Sequence, residues 1–135
     1  MAKNGFSMSN RVAVESVSAA KTLTADDCGK HFAVTATGSA INIALPSASL
    51  AGDGWNARIN VISGSVAEDV TVASSDGSTI YWFGVDSSAA GTNATAIESL
   101  TFPSGTLVTG DSLDAVKIGS NWYVRSFTNA GLQDA

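Results

Sequence analysis

The sequence predicts an all-β domain, either an antiparallel β-sandwich or a barrel, of about eight to ten short strands. Three observations lead to this fold class. In several short segments apolar residues alternate with polar ones, which is the pattern of strands with one buried face. Clusters of Gly, Asp, Asn and Ser separate these segments about every ten residues. No segment keeps a helical period over three turns.

The centre of the fold is predicted from residues 23–63, which contain three strands. The glycine-centred segment 37–39 predicts a tight hairpin between the first two strands. Pro46 ends the second strand, because proline cannot donate to a strand ladder. A turn is expected at 25–30, where aspartates accept bonds from backbone N–H groups and Gly29 adopts a positive φ. The three strands point these residues inward: Phe32, Val34, Ala36, Ile41, Ile43, Leu45, Ala57, Ile59 and Val61.

Further strands are expected on both sides of this segment. Residues 11–18 predict a first strand at a sheet edge, and the loop 64–68 predicts a second hairpin. The aromatic strand 80–83 is apolar on both faces, so it is either central or half covered by a neighbouring chain. The other strand-like segments are 70–72, 97–102, 107–109, 113–118 and 122–127, with a last hairpin at 119–121.

The length of the chain suits one domain. Residues 11–127 are expected to form a single β-domain, residues 1–10 a flexible N-terminal arm, and residues 128–135 a C-terminal tail. The core is predicted from apolar residues that recur on one face of each strand. These are Phe32, Val34, Ile41, Ile43, Leu45, Ile59, Val61, Val72, Leu100, Val116 and Val124.

The composition argues against several classes of function. The chain has 7 Lys and Arg against 12 Asp and Glu, a net charge of −5 and no basic run, so nucleic acid is not an expected partner. No apolar run approaches the roughly 20 residues of a membrane-spanning helix. The N-terminus lacks the apolar core of a signal peptide. A single cysteine cannot form an intrachain disulfide, which suits synthesis in a reducing cytoplasm.

The charged fraction is only 14 %, low for a soluble monomer. A partner that covers part of the surface would account for it. A Ser/Thr-rich exterior on a β-protein would account for it equally well, and both interpretations stay open at this point.

Three groups of residues contain side chains used in catalytic or binding sites, but none predicts a catalytic, metal or cofactor site. Cys28 and His31 lie too close in sequence for a nucleophile opposed by its base, and they are too few for a zinc site. The acidic pairs at 26–27 and 68–69 occupy turns, without the cleft that glycoside hydrolysis needs. The aromatic residues Trp55, Tyr81, Trp82, Trp122 and Tyr123 suggest a carbohydrate platform, but strand aromatics more often lie in a core or an interface.

The order of motifs resembles a family. From the N-terminus the motifs are L-T-A-D-D-x-G-K-x-F, a predicted hairpin, x-I-x-L-P, A-G-x-G and an apolar strand. They are followed by D-V-T-V, D-G-S-T-I and G-S-N-W-Y-V. This order, over roughly residues 21–127, resembles a β-domain of tailed-phage virion proteins. Such domains occur in small head decoration (cement) proteins and in tail-fibre or spike modules. The resemblance indicates virion structure more clearly than it separates capsid from tail.

The resemblance implies a non-enzymatic head decoration protein that binds and stabilises the assembled capsid. Its implied partner is the major capsid protein, its implied state a homotrimer, and its place the outer capsid surface of the virion after synthesis in the host cytoplasm. The alternative is a tail-fibre or spike module that presents a receptor-binding surface. The small size, without repeats or a coiled-coil stalk, favours the shell component.

Two sets of contact residues are expected. Phe6, Met8 and Arg11 of the N-terminal arm are predicted to contact the capsid, because they have no evident role inside the domain. Residues Tyr81, Trp82 and Phe83 are predicted to lie at a subunit interface, because both faces of their strand are apolar.

Overall fold

A computed structural model describes residues 11–64, 68–86, 92–105, 108–128 and 133–134. Within these ranges the chain forms twelve strands and one short 3-10 helix, Ala25–Asp27. The first six strands are β1 (Val14–Val17), β2 (Lys21–Thr22), β3 (His31–Ala36), β4 (Ile41–Leu45), β5 (Asn56–Gly64) and β6 (Val70–Ser74). The others are β7 (Ile80–Asp86), β8 (Thr92–Ile97), β9 (Ser99–Phe102), β10 (Ser112–Ile118), β11 (Asn121–Thr128) and β12 (Gln133–Asp134).

The strands form two sheets that face each other as a sandwich. One sheet has seven strands in the order β1-β3-β5-β10-β11-β7-β8, and the other has five in the order β12-β9-β6-β4-β2. The buried apolar residues of both sheets form one core cluster. The predicted all-β sandwich of short strands is therefore confirmed. The segment predicted as a C-terminal tail contributes β12, which pairs with β9.

The first six strands alternate between the two sheets, so the predicted hairpins at 37–39 and 64–68 are wrong. β3 lies in the seven-stranded sheet and β4 in the five-stranded one, and the same holds for β5 and β6. The neighbours β1, β3 and β5 are parallel, as are β2, β4 and β6. The predicted antiparallel arrangement is thus corrected to mixed sheets. Alternation of apolar residues specifies a buried face, but it does not specify whether the next strand lies beside it or across the core.

The hairpin predicted at 119–121 is present and completes the larger sheet. It joins β10 and β11 as antiparallel neighbours. β10 also pairs antiparallel with β5, and β11 pairs parallel with β7, so the hairpin lies between β5 and β7. The last two strands before the C-terminal segment therefore connect the two halves of this sheet.

Ten of the eleven predicted core residues are buried, and Val116 is the exception. On β10 the buried positions are Leu113, Ala115 and Lys117, so Val116 belongs to the outer face. The prediction took the apolar Val116 as inward, which would place its neighbour Lys117 outward. Lys117 lies inward because its Nζ reaches Asp53 Oδ1 at 3.4 Å, so the buried stem ends beside a carboxylate.

The predicted turn at 25–30 is confirmed and is attached to the core. Gly29 has a φ of +80°, and the Asp27 carboxylate accepts the backbone N–H of Thr24 at 2.9 Å. The indole N–H of Trp55 donates to the carbonyl of Thr24 at 3.1 Å. The Trp55 ring packs edge-on against Trp122, with 5.4 Å between ring centroids.

Candidate binding surface

The two sheets present different outer faces. On the five-stranded sheet the outward residues are small or polar, and Thr71 and Thr101 share a hydrogen bond of 2.9 Å between their hydroxyl groups. On the seven-stranded sheet, β7 and β11 carry large aromatic side chains outward. This second surface is the strongest candidate for a functional contact in the described part of the chain.

The aromatic face consists of Tyr81 and Phe83 on β7 and Tyr123, Arg125 and Phe127 on β11. The exposed fractions are 38 % for Tyr81, 54 % for Phe83, 43 % for Tyr123 and 60 % for Phe127. The parallel register places Tyr123 beside Tyr81 and Arg125 beside Phe83. Because residues at every second position share a face of a strand, the rings form one continuous patch.

Two of the four rings in the aromatic face contact each other. The rings of Tyr81 and Tyr123 are stacked, with 5.5 Å between centroids and 22° between planes. Next to them lies a shallow hollow of about 400 Å³, which is lined by Phe83, Arg125, Ser126 and Phe127. Stacked aromatic pairs stabilise each other beyond the area they bury. The face is therefore partly ordered before any partner binds.

The inner faces of β7 and β11 explain why these rings lie outside. Trp82 is 6 % exposed, and its indole N–H donates to the Ser126 hydroxyl at 2.8 Å. Its ring lies over Gly84, where an added Cβ would be 2.5 Å from Cζ2 of Trp82. Since Trp82 occupies the core, only Tyr81 and Phe83 of the three residues predicted at a subunit interface are available to a partner. For these two the interface stays a prediction.

Among the described residues around the aromatic face, one cation, Arg125, has no carboxylate partner. Arg58 on β5 binds Asp114 on β10 through two bonds, Nε to Oδ1 at 2.5 Å and Nη2 to Oδ2 at 2.9 Å. The hydrogen bond and the charge of Asp114 raise the pKa of Arg58. Asp114 is also the cross-strand neighbour of Arg125. Its two oxygens already face Arg58, so Arg125 keeps its charge exposed beside the Phe rings.

Outside this face, two aspartates of the described turns and loops have structural roles. Asp76 accepts the backbone N–H of Ala48 at 2.8 Å, and Asp69 accepts that of Ser104 at 2.5 Å. The hydrogen bonds from Ser78 and Ala48 lower the pKa of Asp76. Cys28 is an exposed free thiol. Among the described residues, no three His, Cys, Asp or Glu side chains cluster closely enough to hold a metal ion.

The carbohydrate platform, the less favoured interpretation of the aromatic residues, does not form as a whole. Trp55, Trp82 and Trp122 are buried in the core, and only Tyr81 and Tyr123 remain at the surface. In the ranges that the structure describes, no helix has the length and hydropathy to cross a membrane.

The predicted capsid contacts of the arm are only partly placed. Phe6 and Met8 lie outside the described residues, and Arg11 is exposed at the start of the described chain. Arg125 and Phe127 are not among the contact residues predicted from the sequence. A signal for both was present, because the period-two pattern of residues 121–128 alternates buried and exposed positions and places Arg125 and Phe127 on the phase opposite to Trp122 and Val124.

Comparison with known proteins adds no family assignment. The chain matches no protein-family model and no curated protein sequence.

Proposed function

We propose that the chain is a non-enzymatic structural protein of a tailed-phage virion, a head decoration (cement) protein on the outer capsid surface. The structural observation that supports the proposal is the exposed aromatic face on a domain with its own buried core, which suits contacts between the subunits of a homotrimer. Aromatic residues and arginine are enriched where proteins contact each other. The order of motifs over roughly residues 21–127, which resembles virion β-domains, supports the same conclusion.

In this role the protein binds the major capsid protein, acts as a homotrimer and needs no cofactor. Its work is mechanical, because it links neighbouring shell subunits and turns over no substrate. Weak individual contacts suffice, since many copies bind one shell and each copy of a trimer adds a contact at high effective concentration. The arm at residues 1–10 provides a further anchor through Phe6 and Met8.

A second candidate is a tail-fibre or spike module that presents a receptor-binding surface. The observation in its favour is the hollow of about 400 Å³ between Phe83, Arg125 and Phe127. Ring faces beside an arginine suit a small ligand with an apolar face and an anionic group. Electron microscopy of purified particles labelled with a gold-conjugated antibody to this chain separates the two candidates. Label over the head supports decoration, and label confined to the tail rejects it.

The capsid contact of the arm is tested by deleting residues 2–10. The β-domain should fold and associate as before, while binding to undecorated capsids in a cosedimentation assay should weaken at least about tenfold, since anchor residues carry most of the binding energy in an interface. A matched variant, Phe6→Ser with Met8→Ser, keeps the length of the arm and should show most of the same loss. If both variants bind like the full chain, the contact lies on the domain's own surface instead.

A further inference from the structure

We infer that a second copy of this chain covers the aromatic face, so that Tyr81, Phe83, Tyr123 and Phe127 lie between subunits. Three observations support this inference: the exposed area of the aromatic face, its residue types and the net charge of the chain. Only the trimeric stoichiometry rests on the proposed function.

The exposed area of the aromatic face matches the centre of a protein interface. A large aromatic side chain buries about 150–250 Å² when fully covered. With 38 % to 60 % of each ring side chain exposed, the four together leave about 400 Å² open to solvent. This value lies within the range of the largest patch on a typical monomer, which is often functional. It is also about half of the roughly 800 Å² that each partner buries in a stable interface of standard size.

The chemistry of the face favours a protein surface over a small polar ligand. Phe83 and Phe127 are the two most exposed of its rings, and neither has a group that binds water. Interface centres combine Tyr, Phe and Arg in this way, with few lysines or carboxylates. The polar pair Arg58–Asp114 lies on β5 and β10, to one side of the rings on β11 and β7, and forms a solvated border.

The charge of the chain favours another copy as the occupant. Among the described lysines and arginines, all but Arg11 and Arg125 have a carboxylate within ion-pair distance. A second copy has 12 acidic against 7 basic residues, and its net charge of −5 attracts Arg125. A face-to-face dimer would bring two Arg125 guanidiniums into one small interface. A head-to-tail contact, in which the face meets a different surface of the next copy, avoids this and closes into rings such as trimers.

Sedimentation velocity of the full chain, from nanomolar to high micromolar concentration, tests this inference. The wild type should self-associate reversibly. The double variant Phe83→Ser/Phe127→Ser should weaken association by about 30-fold or more, the loss typical of anchor residues. Arg125→Glu should weaken it by at least about tenfold. The control Leu50→Ser removes a side chain that is 73 % exposed in a turn outside this face, and it should associate like the wild type. Unchanged circular dichroism and Tm would show that each variant is folded.

Hydroxyl-radical footprinting of the wild type gives a measurement that needs no variant. Oxidation of Phe83 and Phe127 should fall as association proceeds, while oxidation of Leu50 stays constant. A monomer at every concentration, or association that is unchanged in the Phe and Arg variants, would overturn the inference. Protection of the face that appears only on capsids would also overturn it and would assign the surface to the shell. Each of these results leaves the location of the protein in the virion to the antibody labelling.

Discussion

The two outer faces of the sandwich differ much more than the two inner faces do. Inward, both sheets present aliphatic side chains such as Ile43 on β4 and Ile59 on β5, and both are fully buried. Outward, the five-stranded sheet shows threonines that bond to each other. The seven-stranded sheet shows the aromatic face, with rings that are about half exposed.

The difference separates what the fold requires from what it leaves free. Both inner faces are constrained by the same core, because interiors are packed to the density of organic crystals. An outer face has no such constraint and needs only to be soluble. A set of four exposed aromatic rings beside an arginine exceeds that need. An apolar surface patch of this size is often functional.

The largest effect is expected from the core that the two sheets share. Ile43→Ala should lower the free energy of unfolding by about 2–5 kcal/mol, because the side chain is 1 % exposed and its removal leaves a cavity. Asn42→Ala, at the adjacent outward position, should change it by less than about 0.5 kcal/mol. Urea denaturation followed by tryptophan fluorescence measures both. Equal effects at the two positions would contradict the assignment of the inner face.

A smaller effect is expected on the outer face of the five-stranded sheet. Thr71→Val removes one partner of the 2.9 Å bond to Thr101 and leaves a largely buried hydroxyl unpaired, which should cost about 1 kcal/mol. The double variant Thr71→Val/Thr101→Val removes both hydroxyls and should recover most of that loss. A double-mutant cycle measures the coupling. If the two single effects simply add, this face is stabilised without the bond between the threonines.

The sequence predicts the inner faces well, for a physical reason. A strand that packs against a core must alternate, and the alternation of Phe32 and Val34 or of Ile41 and Ile43 is visible without any knowledge of pairing. The signal fails at Val116 and Lys117. There Lys117 points inward and reaches Asp53, whereas Val116 faces outward. An ion pair with a residue far along the chain is not a local property of the sequence.

Strand pairing is the part of the fold that the sequence leaves open. The connection between β3 and β4 crosses from one sheet to the other, although its Thr-Gly-Ser segment is typical of a hairpin. A short turn can form either a hairpin within one sheet or a connection between the two sheets. Which of the two forms depends on the arrangement of strands that buries the apolar faces of both sheets. For the same reason, the sequence predicts only the β7 half of the aromatic face. Tyr81 and Phe83 stand out in a run of three consecutive aromatic residues, whereas Tyr123 and Phe127 join them only through the pairing of β7 with β11.

A charged cluster lies at the edge of the sandwich formed by β1 and β2, far along the larger sheet from β7. The Glu15 carboxylate on β1 bonds to Lys21 on β2 and to Lys30, the latter at 3.0 Å. Lys30 also binds Asp27 at 2.7 Å. The Lys21 ammonium lies 5.9 Å from the centroid of the Phe32 ring. At this edge, charged side chains cover the core, whereas on β7 and β11 aromatic rings face outward.

The smallest effect is expected from titrating this edge. The hydrogen bonds from Lys21 and Lys30 lower the pKa of Glu15 below its ordinary value of 4.5. Burial raises the pKa of Asp27, but the bonds from Lys30 and Thr24 outweigh it, so the pKa lies below its ordinary value of 3.8. A carboxyl group with a lowered pKa contributes stability that is fully present above the ordinary pKa and is lost as the pH falls through the lowered one.

Stability should therefore be level near neutral pH and should decline in acid, below the ordinary pKa values of 4.5 and 3.8. The double variant Glu15→Gln/Asp27→Asn should be less stable than the wild type at neutral pH and should approach it in acid, because neither protein then carries these charges. The difference should be modest and should shrink with salt, since the pairs are partly exposed and screened. Urea midpoints measured across this pH range, at low and high salt, give the comparison. A constant gap between the two proteins at every pH would show that the edge is held by packing on Phe32 and not by its charges.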